Sequence, residues 1–114
     1  MSESSKPFVG YTDGASRSTQ NLSSVVWAIF ALNGNLVSFQ GICINRSTNN
    51  IAEYSALIKL LSDAISFGIN RIIIRLDSQL VILQLTSIYS VRNPTLLRLF
   101  LRVRILEKIG RAHV

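Results

Sequence analysis

Three carboxylates stand where the elements of this chain meet: Asp13, Glu53 and Asp77. The chain has only six acidic residues, so half of them occupy such boundaries. The others, Glu3, Asp63 and Glu107, fall in the N-terminal tail, within a helical stretch and near the end. Carboxylates brought within a few ångströms repel, and raise one another's pKa, unless a hard cation neutralises them. Mg²⁺ takes oxygen ligands and keeps part of its water shell. Two such ions can activate a water and stabilise a leaving oxygen in phosphodiester hydrolysis. Each residue also has a structural alternative. Glu53 can close a capping box with Asn50. Asp77 can cap a helix beginning near Ser78, or accept backbone donors in a turn. Asp13 precedes Gly14 and can be a turn aspartate. Residue type and spacing leave both sets of roles open.

The elements that would position these groups follow from hydrophobic periodicity and turn residues. Phe8–Asp13 reads as a strand and residues 14–24 as a small, polar connecting loop. Val25–Leu32 is a strand rich in β-formers, in which Trp27 alternates with Val25, Ile29 and Ala31 and is expected to pack inward. Asn33-Gly34 is the strongest turn signal and suits a type I′ hairpin leading to a return strand, Leu36–Ile44. Cap-forming Thr48, Asn49 and Asn50 then precede a helix whose face carries Tyr54, Leu57, Ile58, Leu61, Ala64 and Ile65, ended by Gly68 and Asn70. Arg71–Asp77 reads as a buried strand and Ser78–Ile88 as a short helix. Pro94 opens a last helix to about Ile109, with an inner stripe of Leu96, Leu99, Phe100, Val103 and Leu106. If the first and fourth strands are parallel neighbours, Asp13 and Asp77 meet at one sheet edge, where a helix N-terminus can deliver Glu53.

Composition bounds the rest. A chain of 114 residues, 48% hydrophobic and 16% charged, fits one folded domain and argues against global disorder. A single cysteine, Cys43, excludes an internal disulfide and reads as a reduced, buried thiol. No apolar run approaches membrane-spanning length, and the polar start, MSESSKP, has no signal-peptide core. The net charge of +6 permits a polyanionic partner without demanding one. Residues 1–7 read as a flexible tail. Residues 108–114, KIGRAHV, resemble the translation of a common sequencing adapter and are expected to lie outside the natural domain, which leaves residues 8–107. His113 falls in that segment and is no catalytic candidate.

Three motifs, in order and with matching separations, carry a family resemblance. YTDGAS at 11–16, TNNIAEYSAL at 48–57 and LDSQLV at 76–81 resemble the signature blocks of type I ribonuclease H domains. YSVRNPTLLRLF at 89–100 resembles a later helix of the branch found in plant Ty3/gypsy-type retrotransposon polyproteins. The resemblance implies an α/β, ribonuclease H-like fold. Its mixed sheet is expected in the order 3-2-1-4, with the fifth strand and last helix missing. It also implies cleavage of the RNA strand of an RNA–DNA hybrid with two Mg²⁺ or Mn²⁺ ions. Asp13, Glu53 and Asp77 match three of four metal-holding, catalytic carboxylates. Asn49 and Asn50 match residues that touch the hybrid's minor groove, and Ser78 and Gln79 match contacts to the strand backbone.

The chain also departs from the family pattern. No counterpart of the fourth carboxylate, or of the histidine loop before it, is present. Arg17-Ser18-Thr19-Gln20 replaces a glycine-rich stretch after the first strand. A weak or inactive nuclease is therefore expected of this chain, with a catalytically inactive nucleic-acid-binding or structural retroelement relic as the alternative. Arg92, Arg98, Arg102 and Arg104 form either a modest phosphate-binding face or a solvated helix face. The implied partners are the hybrid and, in a parent polyprotein, reverse transcriptase and integrase domains. No membrane and no obligate protein partner is expected. An intracellular location, cytoplasm or nucleus, follows from the lack of any targeting signal.

Overall fold

The computed structural model describes residues 6–17, 22–45, 48–86 and 90–110. The elements are β1 (Phe8–Arg17), β2 (Leu22–Phe30), β3 (Leu36–Asn45), α1 (Asn49–Ser66), β4 (Ile72–Arg75), α2 (Gln79–Leu85) and α3 (Pro94–Gly110). They build one mixed sheet in the order β3-β2-β1-β4, as the resemblance implies. Neighbours β1, β2 and β3 are antiparallel, whereas β1 and β4 are parallel. Most of the 1–7 tail, the end of the expected second helix (87–88) and residues 111–114 lie outside the described residues. Among the described residues no helix is long and apolar enough to cross a membrane.

The expected loop over 14–24 is largely strand. The β1–β2 ladder continues through Gly14↔Val25, Ala15↔Ser24, Ser16↔Ser23 and Arg17↔Leu22. Small polar side chains do not forbid a strand when both partners can complete the backbone hydrogen bonds. Asp13 therefore lies inside β1 rather than at its end.

The hairpin between β2 and β3 also differs from the two-residue type expected. Gly34 N–H donates to Ala31 O at 2.9 Å, and Ala31 N–H donates to Asn35 O at 2.8 Å. Gly34 takes φ +94°, the left-handed residue that follows the turn. The longer loop accompanies a register irregularity between Ile29 and Phe30.

Register partners share a sheet face. Gly10 and Thr12 of β1, Val25, Trp27 and Ile29 of β2, and Ile72 and Ile74 of β4 face α1 and are buried. On the opposite face Tyr11, Phe39 and Ile73 remain exposed. Cys43 pairs with Ser24 on the outer strand β3 and is exposed, not buried. The correction has a topological reason: β3 is an edge strand, and Cys43 lies on the face away from α1.

Helix α1 packs against the sheet on one side and α3 on the other. Its buried arc is therefore wider than a single stripe. Leu60 is fully buried beside Tyr54, Leu57, Leu61 and Ala64, while Ile58 and Ile65 are only half-buried. Gly68, at φ +72°, ends the helix. Asn93 caps α3 through its side-chain oxygen, which accepts from Thr95 N–H at 2.9 Å and Leu96 N–H at 3.1 Å. Pro94 thus occupies the first helical position, where its missing N–H is harmless.

Tyr54 and Gln84 link α1 to α2. The phenol donates to Gln84 Oε1 at 2.7 Å inside the core. Burial pushes the Tyr54 pKa from 10.0 up to about 12, against an opposing pull from Arg104. A raised phenol pKa favours the folded state below pH 10, where the phenol is protonated in both states. That contribution is lost as pH rises towards 12, because the unfolded chain releases its proton first. Urea midpoints are therefore expected to fall between pH 10 and 12, less steeply in Tyr54→Phe. Equal slopes in the two proteins would show that another group controls the alkaline limb.

Candidate active site

The parallel β1–β4 ladder ends at Tyr11↔Arg75. Asp13 stands two residues further along β1, and Asp77 two residues past the end of β4, so the topology brings both to the same end of the sheet. Both are exposed. Among the described residues neither carboxylate has a hydrogen bond or an ion pair. A cavity of about 560 Å³ opens here, lined by Thr12, Arg75, Leu76, Asp77, Ile82 and Thr86, among others.

Helix α1 connects β3 to β4, so its N-terminus lies at the same sheet edge as the C-terminal end of the β1–β4 ladder. Glu53 projects from that end of the helix and is buried, 7% exposed. Its stripe continues through Ala56, Leu57 and Leu60, the face turned into the core.

The structural alternatives for the three acids fail one by one. Thr48, not Asn50, caps α1: its hydroxyl accepts Ile51 N–H at 3.3 Å. Glu53 is then the fifth helical residue, too far along to close a capping box. Ser78, not Asp77, caps α2, accepting Val81 N–H at 3.3 Å. Asp13 sits opposite Val26 in a continuous ladder, not in a turn.

The assembly is nevertheless incomplete. Among the described residues no group of three His, Cys, Asp or Glu is close enough to hold a metal ion. The face assignment gives the reason. Asp13 shares the Tyr11 face, while Glu53 approaches from the α1 face, on which Thr12 lies. The donors fit a hard divalent ion in kind and in edge. The topology brings Asp13, Asp77 and Glu53 to one end of the sheet without gathering the three into a cluster.

The residues expected to touch nucleic acid surround this edge. Asn49 and Asn50 form the first turn of α1, the former exposed and the latter half-buried. Ser78 and Gln79 open α2. Arg92, Arg98 and Arg102 are exposed. Arg104 is not part of that basic face. Its guanidinium turns inward, donating to Leu85 O at the end of α2 and to Glu107 Oε1 at 2.9 Å, with the Phe100 ring centroid 4.8 Å away. A cation at a helix C-terminus meets its unpaired carbonyls and the negative end of its dipole. Thr12, which sequence reasoning did not single out, is the further polar group here; its hydroxyl is sealed from solvent. Only its place in the YTDGAS block distinguished it.

Residues 11–108 match the family described as reverse transcriptase-like. The chain is a ribonuclease H-like domain of that family. It is 44% identical over 94 residues to ribonuclease HI of Halobacterium salinarum, a match covering 82% of this chain and 47% of that protein. It is 34% identical over 97 residues to the bifunctional protein Rv2228c of Mycobacterium tuberculosis, covering 82% of this chain and 26% of that protein. The domain thus spans about half, or about a quarter, of these curated relatives. The crystal structure of the Halobacterium salinarum RNase H1 superposes with a TM-score of 0.87 at 40% identity, covering 93% of this chain and 80% of that one. LC11-RNase H1, solved in complex with an RNA/DNA hybrid, gives 0.82 at 30% identity, covering 89% and 76%. A foamy viral protease-reverse transcriptase, at 17% identity and a TM-score of 0.75, shares the fold alone.

Proposed function

We propose that this domain hydrolyses the RNA strand of an RNA–DNA hybrid, with Asp13, Glu53 and Asp77 holding the divalent ions. The observation that supports the reading is the parallel pairing of β1 with β4, beyond whose last pair, Tyr11↔Arg75, Asp13 and Asp77 follow at the same end of the sheet while Ser78 takes the cap of α2. Mg²⁺ or Mn²⁺, two ions in a complete site, would supply Lewis-acid polarisation of the phosphodiester and an activated water. By the family resemblance Asp13 would be a ligand shared by the two ions. Glu53 would hold one ion and lie close to the 2′-hydroxyl of the scissile ribose, the group that separates RNA from DNA. Asp77 helps orient the attacking water. Ser78 accepts one hydrogen bond as the cap of α2, so its own O–H remains able to donate to a phosphate oxygen. Asn49, Asn50 and Gln79 border the same edge and contact the hybrid.

The absence of a three-carboxylate cluster among the described residues favours a second reading, an inactive nucleic-acid-binding or structural relic of a retroelement. The family description and the YSVRNPTLLRLF resemblance support placing the domain in such an element, beside reverse transcriptase and integrase domains. End-labelled RNA–DNA hybrid, RNA duplex and DNA duplex, each incubated with the protein and Mg²⁺, separate the readings. Slow cleavage confined to the RNA strand of the hybrid is expected. Hybrid binding without cleavage, in Mg²⁺ and Mn²⁺ alike, would favour the relic.

A further inference from the structure

Thr12 occupies a particular place between the elements of the site. It is buried, and its Oγ1 has no hydrogen-bond partner among the described residues. A buried hydroxyl in that state destabilises a fold, whereas a valine of the same shape does not. A Cβ on Gly10 would lie 2.8 Å from Leu60 Cδ1, so β1 and α1 touch at that level. Thr12 stands two residues further along β1, about 7 Å at the rise of a strand. Glu53 stands seven residues back along α1, about 10 Å at the rise of a helix. Helix α1 runs opposite to β1, so both steps lead to one sheet edge. Thr12 also lines the cavity beside Asp77.

We infer that Thr12 is a positioning residue, whose hydroxyl donates to the Glu53 carboxylate when the site takes up a divalent cation. The inference rests on the proposed nuclease reading. It assigns the buried hydroxyl the task of fixing the Glu53 carboxylate beside the cavity that Thr12 and Asp77 line.

The test is Mn²⁺ binding by water-proton relaxation, together with thermal melts, on the 114-residue protein and its variants. Thr12→Val is expected to melt at or above the parent's temperature. It should bind Mn²⁺ about tenfold more weakly, the worth of one hydrogen bond to a charged group. Thr12→Ser, which keeps the donor, should stay within about twofold of the parent. Parent-like Mn²⁺ binding by Thr12→Val, with Asp13→Asn still abolishing it, overturns the role of Thr12 and leaves the site standing. A tenfold loss in Thr12→Ser, or failure of Thr12→Val to fold, overturns it too, because packing would then explain the residue. Mn²⁺ binding untouched by both Asp13→Asn and Asp77→Asn overturns the site itself.

Discussion

Asparagine at position 13 or 77 is expected to lower Mn²⁺ affinity at least about a hundredfold and to abolish hybrid cleavage. Loss of a group that merely orients a metal ligand typically costs about 10- to 100-fold. Removing a ligand's charge should cost more. Both side chains are exposed, and among the described residues neither has a hydrogen bond or an ion pair. Substitution should therefore leave stability within about 0.5 kcal/mol, as at other surface positions. Each variant carries its own control: an unchanged melt with lost binding isolates the metal role. Calorimetric titration with Mn²⁺ and a labelled hybrid assay read the two effects. Intact cleavage in either variant would remove that residue from the chemistry. A large drop in melting temperature would instead assign it a structural role.

The second large effect concerns Trp27. Its ring is 5% exposed within the core formed by Val25, Ile29 and the inner face of α1. Its indole N–H also donates to Asp63 Oδ2, tying β2 to the last turn of α1. Trp27→Ala is expected to cost about 3–5 kcal/mol, as large-to-small changes in cores do. The whole stability of a domain is only about 5–15 kcal/mol, so much of this chain would unfold. Trp27→Phe keeps most of the ring volume and loses the donor. It should cost less, about 1.5–3 kcal/mol for a hydrogen bond to a charged group. Urea unfolding at neutral pH measures both. A Trp27→Ala variant as stable as the parent, yet weaker for hybrid, would move the ring from packing to base stacking.

Order of elements was readable because it depends on local periodicity and on turn residues. The alternating Val25-Trp27-Ile29 pattern, Gly68 after α1 and Pro94 opening α3 each act within a few residues. The three carboxylates were readable for another reason. Acidic residues are scarce in this chain, and each of the three stood at the border of an expected element or within an early helical turn. Spacing alone could not choose between capping and chemistry. That choice needed Thr48 and Ser78 to be seen taking the caps.

What only the tertiary structure decided depends on partners distant in the chain. Residues 14–17 became strand because residues 22–25 completed their hydrogen bonds. Cys43 came to the surface because β3 has a neighbour on one side only within the described sheet. Arg104 left the basic face because the last carbonyl of α2, distant in sequence, lay within its reach. Two facts about the site were settled in the same way. The parallel pairing of β1 with β4 brought Asp13 and Asp77 to one end of the sheet. The pleat of β1 turned Thr12 towards α1 and Asp13 away from it. An alternating strand sends adjacent residues to opposite faces, and only packing determines which face a helix covers.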